Sequence, residues 1–224
     1  MTKDEFFEKQ GITFAPISDL VYEYLSENII QMNLLPGTQL NETHISEELC
    51  VSRTPVRTAI RRLETEGLAV LEHSKTATVS PLKRGEYYQL AEFRAAIEGR
   101  AAYHAAKLIT TETLAQLKEI LIDMEKGEKS QTLYPVNEDR FHTLVVQSAQ
   151  NTFFNSAYEM YRAKIFRYRW YTFIKCSVMD EYSTKVRSAT HRAIYNALKS
   201  HYQEQAREEA IADAILMRNT SLNL

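Results

Sequence analysis

The sequence has few of the residues that crosslink or interrupt a chain. Among its 224 residues, the cysteines Cys50 and Cys176 are the only two and lie far apart, so a disulfide framework is not expected and buried thiols are. Six glycines and five prolines argue against long flexible linkers and favour a mostly helical protein. No apolar run approaches the length of a membrane span, and the start, MTKDEFFEKQGITFAP, is too acidic for a secretory signal. These absences predict a cytoplasmic protein without a membrane partner.

Bulk positive charge is also missing. The formal net charge is −2, and residues 1–80 hold 7 Lys and Arg against 12 Asp and Glu. A generally basic surface for nucleic acid is therefore excluded. The exception is local, because four of those seven basic side chains are arginines between positions 53 and 62: Arg53, Arg57, Arg61 and Arg62. Only this cluster can support binding to a polyanion.

The first 80 residues have the pattern of three helices and a hairpin. Helical spacing predicts a first helix over ISDLVYEYLSENIIQM, residues 17–32. Asn41 is predicted to cap the short helix ETHISEEL. Thr54 or Ser52 is predicted to cap a third helix, PVRTAIRRLETE, which ends at Gly67. LAVLE and TATVS then read as two strands of a wing.

From about residue 83 onward the sequence is almost continuously helical in pattern. Breaks are predicted near residues 109–111, 127–134, 151, 177–179 and 200–202, which leaves about six helices. The predicted fold is mainly α, with a winged helix-turn-helix domain over residues 1–80 and an all-helical bundle over residues 84–224.

The third helix has one apolar and one cationic side. Val56, Ile60 and Leu63 form the apolar stripe, and Arg53, Arg57 and Arg61 share the opposite side. This arrangement is typical of the second helix of a helix-turn-helix motif. That helix packs on the rest of the domain through its apolar stripe and presents its N-terminus to DNA. Arginine suits this position since its fork can grip a guanine edge or a phosphate. The alternative is a solvated face on which the arginines pair with neighbouring glutamates.

Residues 34–71, LLPGTQLNETHISEELCVSRTPVRTAIRRLETEGLAVL, resemble the winged helix-turn-helix of the GntR transcription regulators. The resemblance rests on PG, L-N-E, V-S-R-T-P-V-R and L-x-x-E-G-L. It implies that Arg53, Thr54 and Arg57 contact double-stranded DNA and that His73 and Lys75 in the wing reach the adjacent groove or backbone. Arg61 joins this set from its place on the same helix side. Three positions depart from the pattern: Cys50 for Gly, Thr58 for Glu and Thr76 for Gly.

Two histidines and two acids in the second half occupy suggestive places. Glu138 and His142 are four residues apart, so a helix projects both from one face. His191 precedes an apolar stripe, and Asp213 lies among apolar neighbours, where a carboxylate needs a partner. Taken singly, each also fits an ordinary hydrogen-bonded or exposed side chain.

Residues 84–218 resemble the FCD type of ligand-binding domain found in the FadR subfamily of GntR regulators. The resemblance rests on three segments, EFRAAIEGRAAYHAA, EDRFH and THRAIYNAL. Metal-binding members hold a divalent ion with an Asp and three His, which implies Glu138, His142, His191 and Asp213 here. Asn219 is an alternative for the last of these. The implied cofactor is one Zn, Ni, Mn or Fe ion per chain, and Arg94 is a candidate to hold an effector carboxylate or to pair with Glu98.

The expected function is that of a sequence-specific transcription regulator that acts as a repressor, and the protein is not expected to be an enzyme. It would bind a pseudo-palindromic operator as a homodimer, and a small metabolite, expected to be a carboxylic acid, would change operator affinity. The alternative is a metal-dependent helical enzyme with a nucleic-acid-binding module, in which the same four ligands leave a position open for water.

Overall fold

The computed structural model describes residues 1–12, 14–71, 76–126, 133–177 and 181–219. These residues form ten helices and two short strands, which divide into two compact units. The first unit is Met1–Leu82 with Ala163–Tyr171, and the second is Lys83–Arg162 with Thr172–Leu224. Within the described part of the chain, no helix combines the length and the apolar character needed to cross a membrane.

The first helix, α1 (Lys3–Ile12), was not anticipated by the sequence analysis. The Thr2 hydroxyl accepts a hydrogen bond from the Glu5 amide at 3.2 Å, and the Glu5 carboxylate accepts one from the Thr2 amide at 2.6 Å. This reciprocal pair is a capping box, which satisfies amides that have no partner in the helix. Phe6 anchors the helix in the core of the unit with no exposed surface.

The next three helices match the predicted helix-turn-helix. Helix α2 spans Ile17–Ile30 and α3 spans Glu42–Glu48, with Asn41 accepting from the amides of Thr43 and His44 as predicted. Helix α4 spans Arg53–Thr65, so it begins two residues before the predicted start at Pro55. Ser52, the second of the two predicted candidates, occupies the N-cap position, but its side chain makes no capping hydrogen bond. The apolar stripes of α2 and α4 pack together with Leu68 and Val79.

The turn between α3 and α4 places a non-glycine residue in left-handed backbone. Cys50 has φ of 51° and an exposed side chain, so the expectation of buried thiols is wrong for this residue. Backbone hydrogen bonds hold the turn, because Cys50 N donates to Glu47 O at 3.3 Å and Val51 N donates to Ser46 O at 3.0 Å. The side chain of Cys176 is outside the described residues.

Two strands follow α4. Strands β1 (Ala69–Val70) and β2 (Thr78–Val79) pair antiparallel, with Ala69 opposite Val79 and Val70 opposite Thr78. Gln39 forms an additional bridge to Thr78, which joins the segment before α3 to the hairpin. The predicted wing is therefore present at its base. Its tip at residues 72–75, which includes His73 and Lys75, lies outside the described residues.

The remaining helices are α5 (Arg84–Leu108), α6 (Thr111–Lys126), α7 (Leu133–Ser148), α8 (Thr152–Ser177), α9 (Glu181–Lys199) and α10 (Gln203–Asn219). The predicted breaks at 109–111, 151 and 200–202 are confirmed; those near 127–134 and 177–179 fall largely on residues that are not described. Asn151 begins α8 by accepting from the amides of Phe153 and Phe154. In the second unit, α5 packs against α7, α9 and α10.

Helices α5 and α10 approach each other closely at Gly99. A Cβ atom at this position would lie 2.7 Å from Cγ1 of Ile211, so a side chain larger than hydrogen would push the helices apart. This close approach positions one turn of α5 directly beside Asp213 of α10. It thereby helps to assemble the polar cluster described below.

Candidate nucleic-acid interface and candidate metal centre

Helix α4 separates apolar and cationic side chains as predicted. Val56, Ile60 and Leu63 are buried, with exposed fractions of 0, 4 and 0 %. The candidate DNA contacts Arg53, Thr54, Arg57 and Arg61 are all exposed. The helix therefore docks by one side and leaves the N-terminal arginines accessible to a partner.

Arg57 is held by an acid that the sequence analysis did not assign. Its Nε lies 3.1 Å from both carboxylate oxygens of Glu42, and its Nη2 donates to Oε2 at 2.8 Å. These hydrogen bonds lower the pKa of Glu42, and the charges of Arg53 and Arg61 act in the same direction. Glu42 belongs to the L-N-E segment at the start of α3, so the signal was present, but sequence spacing alone does not connect it to a side chain 15 residues away.

Arg62 behaves differently from the other three arginines. It pairs with Glu66 one turn later at 3.1 Å, and its guanidinium lies 3.6 Å from the centroid of the Tyr22 ring. Tyr22 in turn donates a hydrogen bond to Glu66. Arg62 is thus engaged by Glu66 at the end of its own helix and by Tyr22 and Asp19 on α2. Arg57 instead pairs with Glu42 at the start of α3.

A concave region of about 490 Å³ lies between the start of α3, the cationic side of α4 and the base of the wing. Its lining includes Asn41, Glu42, Arg57, Arg61 and Thr76. Three elements that a helix-turn-helix presents to DNA therefore meet at one surface.

A second polar cluster is buried inside the helical unit. Four helices contribute to it: Arg94 and Glu98 from α5, Glu138 and His142 from α7, His191 from α9, and Asp213 from α10. Each of these six side chains is at most 5 % exposed. The structure thus brings together all four residues proposed as metal ligands, together with Arg94 and Glu98.

Hydrogen bonds define which nitrogen of each imidazole is available. Nδ1 of His191 lies 2.7 Å from the carbonyl oxygen of Arg187, and Nδ1 of His142 lies 2.9 Å from Oε2 of Glu98. A carbonyl or carboxylate only accepts, so we assign the proton to Nδ1 in both rings. Burial lowers the pKa of His191, which keeps that ring neutral.

The other two ring nitrogens face each other. Nε2 of His142 is 3.0 Å from Nε2 of His191. Asp213 stands beside both, with Oδ2 3.3 Å from the first and Oδ1 3.7 Å from the second. With the proton of each ring on Nδ1, both Nε2 lone pairs point into the same space, where they can bind one cation.

The donor set fits a divalent transition metal. Ligand atoms of Glu138, His142 and His191 lie within 4.8 Å of one another, and so do those of a second group, Glu98, His142 and Asp213. The two groups share His142, and Asp213 joins the first through its contacts with the two histidines. Donors about 2.0–2.2 Å from one ion lie roughly 3–4 Å apart, which is the spacing between the two Nε2 atoms, at 3.0 Å, and between these atoms and Asp213, at 3.3 and 3.7 Å. Asp213 reaches both histidines, while the side chain of the alternative, Asn219, is outside the described residues.

Arg94 is engaged within the cluster. Its Nε donates to Oε1 of Glu98 at 2.7 Å, and its Nη2 donates to Oε2 of Glu98 and to Oδ2 of Asp213, each at 3.1 Å. The i, i+4 pair considered from the sequence is present. Thr190, which the sequence analysis did not single out, donates to Oδ1 of Asp213 at 2.8 Å. Asp213 thus has the partners that its burial requires.

Comparison with protein families gives this arrangement a context. The FCD domain matches residues 89–218, more than half of the chain, and the family described as bacterial regulatory proteins, gntR family, matches residues 17–79. The chain belongs to the GntR family. It is a transcriptional regulator of this family, with a helix-turn-helix domain followed by the FCD domain of the FadR-like members.

Relatives of this GntR protein are named as transcriptional regulators or repressors. The chain is 32 % identical over 123 residues to the Nta operon transcriptional regulator of Aminobacter aminovorans, covering 54 % of this chain and 59 % of that protein. It is 29 % identical over 160 residues to the HTH-type transcriptional repressor RspR of Escherichia coli, covering 70 % of each. The structure of E. coli McbR/YncC superposes with a TM-score of 0.75 at 18 % identity, over 90 % of this chain and 94 % of that one. At that identity the likeness concerns the fold.

Proposed function

We propose that this GntR regulator is a homodimeric repressor whose operator affinity is controlled by a small carboxylic acid bound in the helical domain. Residues 1–80 form the DNA-binding domain, and residues 84–224 form the effector-binding and dimerisation domain. The observation that carries the proposal is that one chain has both an accessible arginine face on α4 and a buried cluster of metal-ligand candidates in the FCD domain.

In the DNA-binding domain, Arg53, Thr54, Arg57 and Arg61 contact the operator. Their exposure on the N-terminal turns of α4 supports this role, because that end of the helix supplies free amides and a positive dipole. His73 and Lys75 are assigned to the adjacent groove or backbone from the wing. A twofold dimer requires a pseudo-palindromic operator in double-stranded DNA.

In the helical domain, Glu138, His142, His191 and Asp213 hold one divalent transition metal per chain. The facing Nε2 atoms support this assignment, because both rings keep their Nδ1 atoms occupied elsewhere. When bound, the metal supplies a Lewis-acidic centre for an effector carboxylate. Arg94 supplies the positive charge that holds a second part of the effector, after exchanging one of its present carboxylate contacts.

The metal assignment is tested by elemental analysis of the untagged protein. About one transition metal per chain is expected, and His142→Ala should lose it. His104→Ala is a matched control, because it removes a half-buried imidazole from the same unit and should retain the metal. A metal-free wild type, or metal retained in His142→Ala, would contradict the assignment.

The regulatory assignment is tested by selecting bound duplexes from a genomic fragment library at moderate salt. Enrichment of an inverted repeat, and its release by a metal-coordinating carboxylic acid that the protein leaves chemically unchanged, is the expected result. Binding without sequence selection would contradict the proposed operator recognition, and turnover of the compound would indicate catalysis.

A further inference from the structure

Glu98 differs in position from the other buried acids, because it contacts His142 at the ring nitrogen that faces away from the proposed metal. Its Oε2 is 2.9 Å from Nδ1 of His142, whereas the proposed metal position lies beyond Nε2 of the same ring. Both side chains are almost completely buried, with exposed fractions of 1 and 3 %. Water therefore competes little for this contact.

The two oxygens of Glu98 are already used by other groups. Oε1 accepts from Nε of Arg94 at 2.7 Å, and Oε2 accepts from Nη2 of Arg94 at 3.1 Å as well as facing His142. A fork-to-fork contact of this kind fixes the plane of the carboxylate. Glu98 thus has a fixed orientation and contacts His142 at Nδ1, whereas Asp213 lies beside Nε2 of the same ring.

We infer that Glu98 is a positioning residue that holds His142 with its proton on Nδ1 and its Nε2 lone pair toward the metal. This inference rests on the metal site of the proposed function. A carboxylate that accepts from the distal nitrogen of a ligating histidine fixes the ring and raises its basicity. Arg94 acts one step further out by fixing Glu98.

The test measures zinc affinity of the full-length protein by competition with a chromophoric chelator. In Glu98→Gln the amide can donate to Nδ1 and favour the wrong ring tautomer, so zinc binding should weaken by about 10–100-fold while one ion per chain is still bound at saturating zinc. Glu98→Asp keeps the charge beside Arg94 but withdraws the oxygen from the ring, and should weaken binding in the same direction. This second variant remains informative if the amide variant folds poorly.

Asp139→Asn is the matched control. Asp139 is a buried carboxylate, 4 % exposed, that accepts from Arg162 at 2.8 and 3.0 Å, so its loss disturbs a comparable ion pair in the same unit. Its zinc affinity should equal that of the wild type. ¹⁵N NMR of labelled histidines in the metal-free protein should show His142 protonated at Nδ1 in the wild type. In Glu98→Gln, but not in Asp139→Asn, the Nε2-protonated tautomer should gain population, a change that a purely structural role for Glu98 does not produce.

The outcomes separate this inference from the proposed function. Wild-type affinity in both Glu98 variants, or an equal loss in Asp139→Asn, would overturn the positioning role while leaving the metal site intact. Complete loss of zinc at saturation in folded Glu98→Gln would also overturn it, because Glu98 would then be a direct ligand. A wild type that binds no zinc would overturn the metal site and this inference together.

Discussion

Replacing Arg57 with alanine should weaken operator binding and relax its sequence preference. Arg57 is on the accessible side of α4, and its Nε and Nη2 are bound by Glu42. The carboxylate thereby holds one edge of the guanidinium and leaves Nη1 directed elsewhere. An arginine whose orientation is fixed before binding loses less side-chain freedom in the complex, which favours a specific contact.

The magnitude follows from two opposing contributions. A good arginine contact to a base edge contributes about 1–3 kcal/mol of discrimination. Opening the half-exposed ion pair of Arg57 with Glu42 would subtract about 0–1 kcal/mol. The pair can stay closed in the complex, because Glu42 occupies Nε and Nη2 and leaves Nη1 for the base edge. We therefore expect Arg57→Ala to raise the dissociation constant for the operator by roughly 5- to 150-fold.

Arg62→Ala provides the matched control. Arg62 and Arg57 are on the same helix with side-chain exposures of 50 and 56 %, so each substitution removes one charge of similar accessibility. Arg62, however, is paired with Glu66 and stacked on Tyr22 within its own unit. Its loss should leave the preference for the operator over a scrambled duplex unchanged.

Fluorescence anisotropy with operator and scrambled duplexes at two salt concentrations separates these effects. Arg57→Ala should lose affinity mainly for the operator, whereas a residue that contacts only phosphate would lose affinity for both duplexes and lower the salt slope by about one. Equal losses in Arg57→Ala and Arg62→Ala on both duplexes would refute base reading by Arg57 and reduce its role to bulk charge.

Three further predictions concern other parts of the chain. Glu42→Gln removes a negative charge from the arginine face and should strengthen binding to the scrambled duplex, most at low salt, as measured by the same anisotropy assay; weaker binding would contradict the electrostatic reasoning. Burial lowers the pKa of His191 below its ordinary 6.5, so the unfolded chain takes up this proton first as the pH falls. The unfolding free energy of the metal-free protein should therefore decrease below about pH 6.5 by up to about 1.4 kcal/mol per pH unit, and His191→Asn should show a shallower decrease in urea titrations with chelator present. Gly67→Ala places a side chain in left-handed backbone at φ of 72°, with its Cβ 2.5 Å from Nζ of Lys164, and should lower the free energy of unfolding by about 1–2 kcal/mol or more. The loss should be at least as large as that of Gly37→Ala, where φ is 84° and the Cβ meets nothing within 4 Å.

The N-terminal elements could be predicted from the sequence because their signals are local. Asn41, the apolar stripe of α4 and the glycine after it each act within a few residues, and the structure has helices at these places. Helix α1 was missed although Thr2 and Glu5 have capping-box spacing. Few apolar residues occur in this segment, so it has no apolar stripe at helical spacing to indicate a helix.

The buried cluster could be predicted only in part, because some of its contacts join helices that are far apart in the sequence. Spacing of four residues correctly placed Glu138 and His142 on one face of α7, and burial chemistry correctly required a partner for Asp213. Neither argument could name Arg94 as that partner, since the contact joins residues 119 positions apart. It depends on the register between α5 and α10, which the close approach of Gly99 to Ile211 helps to set. That register places Arg94 and Glu98 against Asp213 and His142, so an acid at position 213 is compatible with this core because an arginine on the neighbouring helix meets it.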